Sequence, residues 1–196
     1  LPYKPKRRTK AAIAKENGLE PLADWLMKEQ NGDVFREAAR FVKNDVKSED
    51  DALAGARDII AEVVNENEIA RSTIRREFQR YASVKTKVAR DKETEGIKYK
   101  DYFEFEEPLH RSPSHRLLAM FRGEEEGVLR MRIAPEEEFA VEKLENFFIK
   151  RNTDASEQIA VAIKDSYKRL LEPSIENEFR SLYKAKADEE AIKVFA

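Results

Sequence analysis

Apolar residues recur at helical spacing along most of the chain, and short breaks at glycine, proline or asparagine separate the periodic segments. The first segment predicts a helix over residues 9–17, with Gly18 as a left-handed stop. Pro21 opens a second helix, and Ser48 is a good N-cap for a longer one. Further helices are predicted over residues 35–42, after Pro135, after Thr153 or Asp154, and after Pro173, which is expected to kink or restart the chain. The positions assigned to the buried faces of the C-terminal helices include Phe139, Leu182 and Ile192.

The longest periodic segment predicts one helix over residues 68–92, ended by Gly96. Its apolar stripe consists of Ile69, Ile74, Phe78, Tyr81 and Val88. Its surface is basic and carries Arg71, Arg75, Arg76, Arg80, Lys85, Lys87 and Arg90. Four aromatic residues then lie within residues 99–105, where the spacing fits a short helix or an edge strand, and we expect the helix.

The pattern changes over residues 108–133, which hold both histidines. Ser112 and Pro113 predict the start of a helix, as its N-cap and first helical residue, and Gly123 predicts its end. Residues 128–133 alternate apolar and basic side chains, which indicates a strand with no identifiable partner. The whole chain therefore predicts a mainly α, bundle-like body of about eight to ten helices with at most one short β element.

Composition narrows the function classes. The net charge is −2, so the molecule as a whole is not a general binder of polyanions. With no cysteine, the chain has no disulfide framework and no thiolate nucleophile or zinc ligand. No apolar run approaches the roughly 20 residues that span a bilayer, and no signal peptide is visible, so we expect a cytoplasmic protein without a membrane partner.

Catalysis is not expected from this chain. His110 and His115 are five residues apart across a proline, which is not the spacing that places two zinc ligands on one helical face. No serine stands in a nucleophile elbow, and the glycines form no phosphate-binding loop. We therefore predict no catalytic residues, no metal and no cofactor, and retain a metal-dependent hydrolase only as a contrasting class.

Basic segments are the better functional candidates. Five cations without an intervening acid form an N-terminal arm, namely Lys4, Lys6, Arg7, Arg8 and Lys10. With Arg75, Arg76 and Arg80 on the basic helix, they are candidates for contact with nucleic-acid phosphates. The competing interpretation is a solvated helix face, because acids such as Glu77 and Asp91 are interspersed.

Several segments together resemble the family of the bacterial transcription accessory protein Tex. They are LPYKPKRRTKAAIAKENGLEPLA at the start, ALAGARDIIAE at residues 52–62, EEPLHRSPSHRLLAMFRGEEEGVL, and KAKADEEAIKVFA at the end. The matches spread over nearly the whole chain and stand in the family's order. One departure is Ser112, where the family more often has an aliphatic residue before Pro-Ser-His-Arg.

The resemblance implies an N-terminal helical region of a longer protein. In that family further helices precede this region, and an RNase H-like YqgF domain, helix-hairpin-helix elements and an S1 domain follow it. Residues 1–10 would be a basic arm, residues 11–172 a helical body, and residues 174–196 the start of a long connecting helix. RNA or DNA would bind mainly through domains outside this chain, with the transcription machinery as a further partner.

Two hypotheses follow for function. In the first, the chain is a helical scaffold and interaction region whose own contact with nucleic acid is auxiliary. In the second, it is an independent helix-turn-helix-type module that uses residues 112–122. Ser114, His115 and Arg116 would then contact phosphates from the N-terminus of a helix.

Overall fold

The fold is described from a computed structural model, which covers residues 8–195, with side chains from residue 8 to residue 194. Lys4, Lys6 and Arg7 of the predicted basic arm lie outside the described residues. The contacts divide the described chain into two compact units. The first unit contains residues 8–72 and 141–171, and the second contains residues 73–140 and 172–195.

Nine α-helices and three strands lie within residues 8–195. The helices are α1 (Lys10–Glu16), α2 (Glu20–Glu29), α3 (Val34–Ala39), α4 (Glu49–Glu66), α5 (Glu68–Tyr81), α6 (Ser114–Glu125), α7 (Glu137–Phe148), α8 (Asp154–Ser166) and α9 (Glu172–Phe195). The strands are β1 (Ser83–Val88), β2 (Glu104–Pro108) and β3 (Leu129–Ala134), joined in one antiparallel sheet. The mainly α prediction is confirmed, and the strand predicted over residues 128–133 is β3.

The first unit is built around α4, against which α1, α2, α3 and α8 pack. Leu53 and Ile60 on α4 are fully buried in this contact. The helix starts are set locally, as the sequence predicts. The Ser48 hydroxyl accepts a hydrogen bond from the Asp51 N–H at 3.1 Å, and Thr153 caps α8 in the same way.

A buried glutamine links two segments of this unit. Gln30 follows α2 in a left-handed conformation, with φ +47°, and is 6% exposed. Its side chain donates to the Phe148 carbonyl at 2.9 Å and accepts from the Lys150 N–H at 2.8 Å, while its own carbonyl accepts from the Thr153 hydroxyl. Because its polar groups are paired, Gln30 fixes the chain after α7 at little desolvation cost.

The second unit contains the sheet, in the order β2-β1-β3. Val84 and Ile133 lie opposite each other on its inner face, and both are fully buried. α6 and α9 both pack against β3. Thr86 is also buried in β1, and its hydroxyl is paired because it donates to the Tyr102 carbonyl at 2.8 Å.

The outer edge of β3 is covered by the α9 polar row, which we define as Glu172, Glu176 and Arg180. These residues are spaced four apart, so they lie on one face of α9. The Ile133 N–H donates to Glu176 Oε1 at 3.0 Å, and Arg180 Nη1 donates to the Met131 carbonyl at 3.2 Å. Unpaired backbone groups at a sheet edge invite pairing with another chain. The α9 polar row supplies hydrogen bonds that a fourth strand would otherwise make.

Arg180 also joins α9 to α6. Its guanidinium forms an ion pair with Glu124 and lies 5.8 Å from the centre of the Phe121 ring. Its Nη1 lies 3.7 Å from Glu176 Oε1. One side chain thus contacts a helix, the free edge of a strand and an aromatic face, and 21% of it is exposed.

The helix predicted over residues 68–92 is wrong beyond Tyr81, where α5 ends. From Ser83 the period of the sequence changes from that of a helix to that of a strand. Val84 and Thr86 point inward while Lys85 and Lys87 are exposed, and β-branched residues suit such a pleated surface. The stretch predicted as the end of a helix is therefore the central strand of the sheet, and it is the partner that β3 requires.

The aromatic stretch at residues 99–105 contains both conformations that its spacing allowed. A 3-10 helix covers Ile97–Tyr102, and β2 follows from Glu104. Gly96 does not end a long helix, because it precedes this 3-10 turn. The expectation of helix is therefore wrong for Phe105, which pairs with Thr86 of β1.

The boundaries predicted for α6 are wrong at both ends. Pro113 takes the N-cap position, and the Ser112 hydroxyl instead donates to the Glu107 carboxylate. Gly123 lies inside the helix, where an added Cβ would come within 2.5 Å of Leu129 Cδ1. It is therefore a packing glycine, and the left-handed turn falls at Gly127, with φ +79°.

Some predicted apolar stripes are also wrong. Six of the apolar positions predicted to be buried are more than half exposed, namely Phe35 in the helix predicted over residues 35–42, Ile69, Tyr81, Phe139, Leu182 and Ile192. The chain does not restart at Pro173, because a π-helical turn over Tyr167–Leu171 joins α8 directly to α9, which begins at Glu172. Proline has no N–H to donate, and prolines and π-turns are the usual causes of helix irregularity.

Replacing Arg180 with methionine tests the α9 polar row. The variant retains apolar packing on Phe121 but loses the ion pairs and the hydrogen bond to Met131. We expect the free energy of unfolding to fall by roughly 1.5–3 kcal/mol, because Glu124 and Glu176 both lose the guanidinium with which they form an ion pair. Urea denaturation followed by circular dichroism measures this change.

Lys184→Met is the matched control on the same helix. Lys184 and Asp188 are each about half exposed and their charged atoms are 3.8 Å apart. This substitution should change the free energy of unfolding by less than about 0.5 kcal/mol. Equal effects of the two substitutions would contradict a structural role for the α9 polar row.

Candidate nucleic-acid interface

The described part of the N-terminal arm is exposed at the start of α1. Thr9 caps the helix, since its hydroxyl accepts from the Ala12 N–H at 3.0 Å. Arg8 forms an ion pair with Glu16, and Lys10 is exposed as the first residue of α1. One of these two predicted cations is thus partly neutralised within the first unit.

The three predicted cations of α5 differ in their surroundings. Arg75 forms a two-point ion pair with Glu178, with distances of 2.8 Å from Nε to Oε2 and 2.9 Å from Nη2 to Oε1. Arg76 and Arg80 are exposed, and neither forms an ion pair with any carboxylate of residues 8–194. Arg75 therefore binds α5 to α9 within the second unit, whereas Arg76 and Arg80 are available to a ligand.

Arg116, the predicted contact residue of α6, is bound within the second unit. Its Nη1 forms an ion pair with Glu107, and its guanidinium lies 5.7 Å from the centre of the Phe105 ring. Glu107 also accepts from Ser112, and only 16% of the Glu107 side chain is exposed. This arrangement ties the start of α6 to β2 and supports a packing role for Arg116.

Two other residues proposed for this helix end are exposed or bound elsewhere. His115 is exposed, and the Ser114 hydroxyl donates to Glu190 of α9.

His110 is exposed as well. Within residues 8–194, no three histidine, aspartate or glutamate side chains are grouped so that they could hold a metal ion.

The sheet carries a second set of cations that sequence reasoning did not assemble. We call it the basic sheet face and define it as Lys85 and Lys87 of β1 with Arg130 and Arg132 of β3. All four side chains are exposed on the outer face of the sheet. The register places Lys85 opposite Arg132 and Lys87 opposite Arg130. Residues directly opposite in an antiparallel pair lie on the same face, so the four cations form one patch.

Acidic residues border this patch and neutralise half of it. Lys85 Nζ lies 3.5 Å from Glu106 Oε1 on β2. Arg132 forms an ion pair with Glu172, which is 7% exposed. Burial raises the pKa of the Glu172 carboxyl above its ordinary value, and the Arg132 guanidinium opposes that rise.

The other cross-strand pair of the basic sheet face is not neutralised. Neither Lys87 nor Arg130 forms an ion pair with a carboxylate anywhere in the part of the chain that the structure describes. Glu104 faces Lys87 in the register, but the two charged groups do not form an ion pair. Alternation in the sequence SVKTKV was the available signal for this site, and the longer helical pattern before it hid the strand.

None of the helices within residues 8–195 combines the length and the apolar character that a membrane crossing needs.

Comparison with known proteins identifies relatives over the whole length of the chain. The family described as Tex central region-like matches residues 29–195. The transcriptional accessory protein Tex of Neisseria gonorrhoeae is 39% identical over 202 aligned positions, which cover 100% of this chain and 27% of that protein. Protein tex of Bordetella pertussis is 36% identical over 214 positions, with the same coverage. S1 RNA-binding domain-containing protein 1 of Homo sapiens is 26% identical over 213 positions, which cover 99% of this chain and 21% of that protein.

The chain spans about a quarter of the length of the curated bacterial relatives it matches. The resemblance seen in the sequence is confirmed by these matches.

Replacing Arg116 with alanine separates packing from binding. We expect the free energy of unfolding to fall by about 1–2 kcal/mol, because Glu107 loses a partly buried partner. Affinity for nucleic acid should change no more than in Arg111→Ala, which removes an exposed arginine nearby. Thermal unfolding and fluorescence anisotropy measure the two quantities. Lost affinity with unchanged stability would instead favour the helix-turn-helix hypothesis.

Proposed function

Because this chain belongs to the family of Tex central region-like domains, we propose that it is the helical scaffold of a transcription accessory factor. In this proposal the complete protein binds nucleic acid and acts with the transcription machinery in the cytoplasm. The observation that carries the proposal is the family match over residues 29–195, together with relatives named as transcription accessory proteins. The region has no catalytic activity of its own in this account, and its role is to hold and present other domains and surfaces.

The structure of the second unit supports a scaffold role. Its cations Arg75, Arg116 and Arg180 are each paired with a carboxylate that lies on a different helix or strand. Such pairs hold helices and strands in fixed positions. A region that positions other domains must keep its own elements in place, and these contacts do so.

Auxiliary contact with nucleic acid is the second part of the proposal. Arg76 and Arg80 are exposed without an ion pair among the described residues, and Lys10 is exposed in the first unit. Such cations neutralise phosphates and release counterions, which makes binding strongly dependent on salt. The S1 RNA-binding protein among the relatives is compatible with this role.

The contact is tested with the 196-residue chain and labelled single-stranded RNA or DNA. Fluorescence anisotropy from about 50 to about 200 mM salt should give an affinity that falls linearly on logarithmic axes. Arg76→Gln/Arg80→Gln removes two available cations, so the slope should decrease in magnitude by about 1.4. The control is Lys184→Gln/Lys186→Gln, which makes the same charge change at exposed positions of α9.

Undetectable affinity of the unaltered chain at about 50 mM salt would remove the auxiliary nucleic-acid contact from the proposal. The scaffold role would then rest on the family relationship and on the ion pairs within the second unit.

A further inference from the structure

We propose that the basic sheet face is a binding surface for the phosphodiester backbone of a nucleic-acid duplex. The inference rests on the proposed function, and it adds a further surface for that contact to the exposed cations of the arm and α5. Lys85, Lys87, Arg130 and Arg132 carry it, with Lys87 and Arg130 at its centre.

The geometry of the sheet brings these charges together. Neighbouring strands are about 4.8 Å apart, and residues two apart on one strand are separated by about 6.7 Å. The register places Lys85 opposite Arg132 and Lys87 opposite Arg130. The four cations therefore lie at the corners of a rectangle with these two spacings as its sides. A duplex carries one negative charge per about 1.7 Å of its axis, so several phosphates come within reach of such a patch.

The patch is also held rigidly. β1 is the central strand and is paired on both sides. β3 is paired on one side, and the α9 polar row binds its outer edge. Behind the cations, Val84 and Ile133 are fully buried. Binding would therefore order only the side chains of the four cations, which keeps its entropic cost low.

Lys87 and Arg130 are the available pair. They form no ion pair within residues 8–194, so a phosphate would not have to displace a carboxylate from them. Lys85 and Arg132 are each paired, and their contribution requires release from Glu106 and Glu172. About two phosphates should therefore account for most of the affinity.

The chemistry of the face favours a duplex over a single strand. Surfaces for single strands stack bases on aromatic side chains. The outward positions of the three strands carry serine, lysine, arginine, alanine, proline and glutamate, and no aromatic residue. A charged surface without a stacking platform contacts the backbone and does not read bases.

The same face is poorly suited to an acidic peptide. Peptides commonly add as a strand to an open sheet edge or insert apolar side chains into a groove. The α9 polar row occupies the outer edge of β3, and the four cations lie on a flat face. The observations therefore favour the repeated charges of a duplex backbone.

The test uses the 196-residue chain and the double substitution Lys87→Gln/Arg130→Gln. Labelled RNA and DNA duplexes are titrated over a range of salt concentrations. Removal of two phosphate contacts should reduce the magnitude of the salt slope by about 2, and affinity at about 0.1 M salt should fall at least tenfold. Lys184→Gln/Lys186→Gln, with the same change of net charge, should retain the slope of the unaltered chain. Circular dichroism and the melting temperature verify that both variants are folded.

The outcomes separate this inference from the proposed function. If the unaltered chain binds the duplex and the two variants behave alike, the basic sheet face is excluded and the proposed function stands. If the unaltered chain binds no nucleic acid, the auxiliary contact fails and this inference fails with it. The double substitution Lys87→Gln/Arg130→Gln could also lower affinity only for single-stranded nucleic acid, or only for poly-glutamate as a model acidic peptide. Either result would overturn the inference.

Discussion

The hydrogen-bonding requirement of one strand edge organises the second unit. β3 is paired with β1 on one side only, and the backbone groups on its other side need partners. The α9 polar row supplies them, through Glu176 to Ile133 and Arg180 to Met131. Since Arg180 also pairs with Glu124 on α6, one row of side chains fixes a helix, a strand and a second helix together. The outer face of the sheet is thereby held in place and remains exposed.

The charges of this unit fall into two groups that composition does not distinguish. Arg75 and Arg180 pair with carboxylates and hold elements together. Arg80, Lys87 and Arg130 are exposed without such partners in the described chain. A net charge of −2 conceals this division, because it counts paired and unpaired cations alike. Only the second group is available for phosphates, and this limits the expected contact to a few exposed positions of a largely structural region.

Local signals in the sequence predicted much of the fold. Ser48 caps α4 because its contacts involve only the next three residues, and alternation alone identified β3. Features decided by distant residues were not predicted. Gly123 is required by contact with Leu129, and the basic sheet face depends on the pairing of two strands more than 40 residues apart in sequence. The lysines of β1 alternate visibly, but the helical period of α5 runs directly into them.

Hydrogen exchange at the Ile133 amide tests the central claim most directly. If Glu176 accepts from this amide, its exchange in the unaltered chain should be slow, although β3 has no strand on that side. Glu176→Ala should accelerate exchange at Ile133 by about tenfold or more, and much less at Val84 in the centre of the sheet. Two-dimensional NMR resolves both amides. An Ile133 amide that exchanges as fast as an exposed loop, or that is indifferent to Glu176→Ala, would contradict the account.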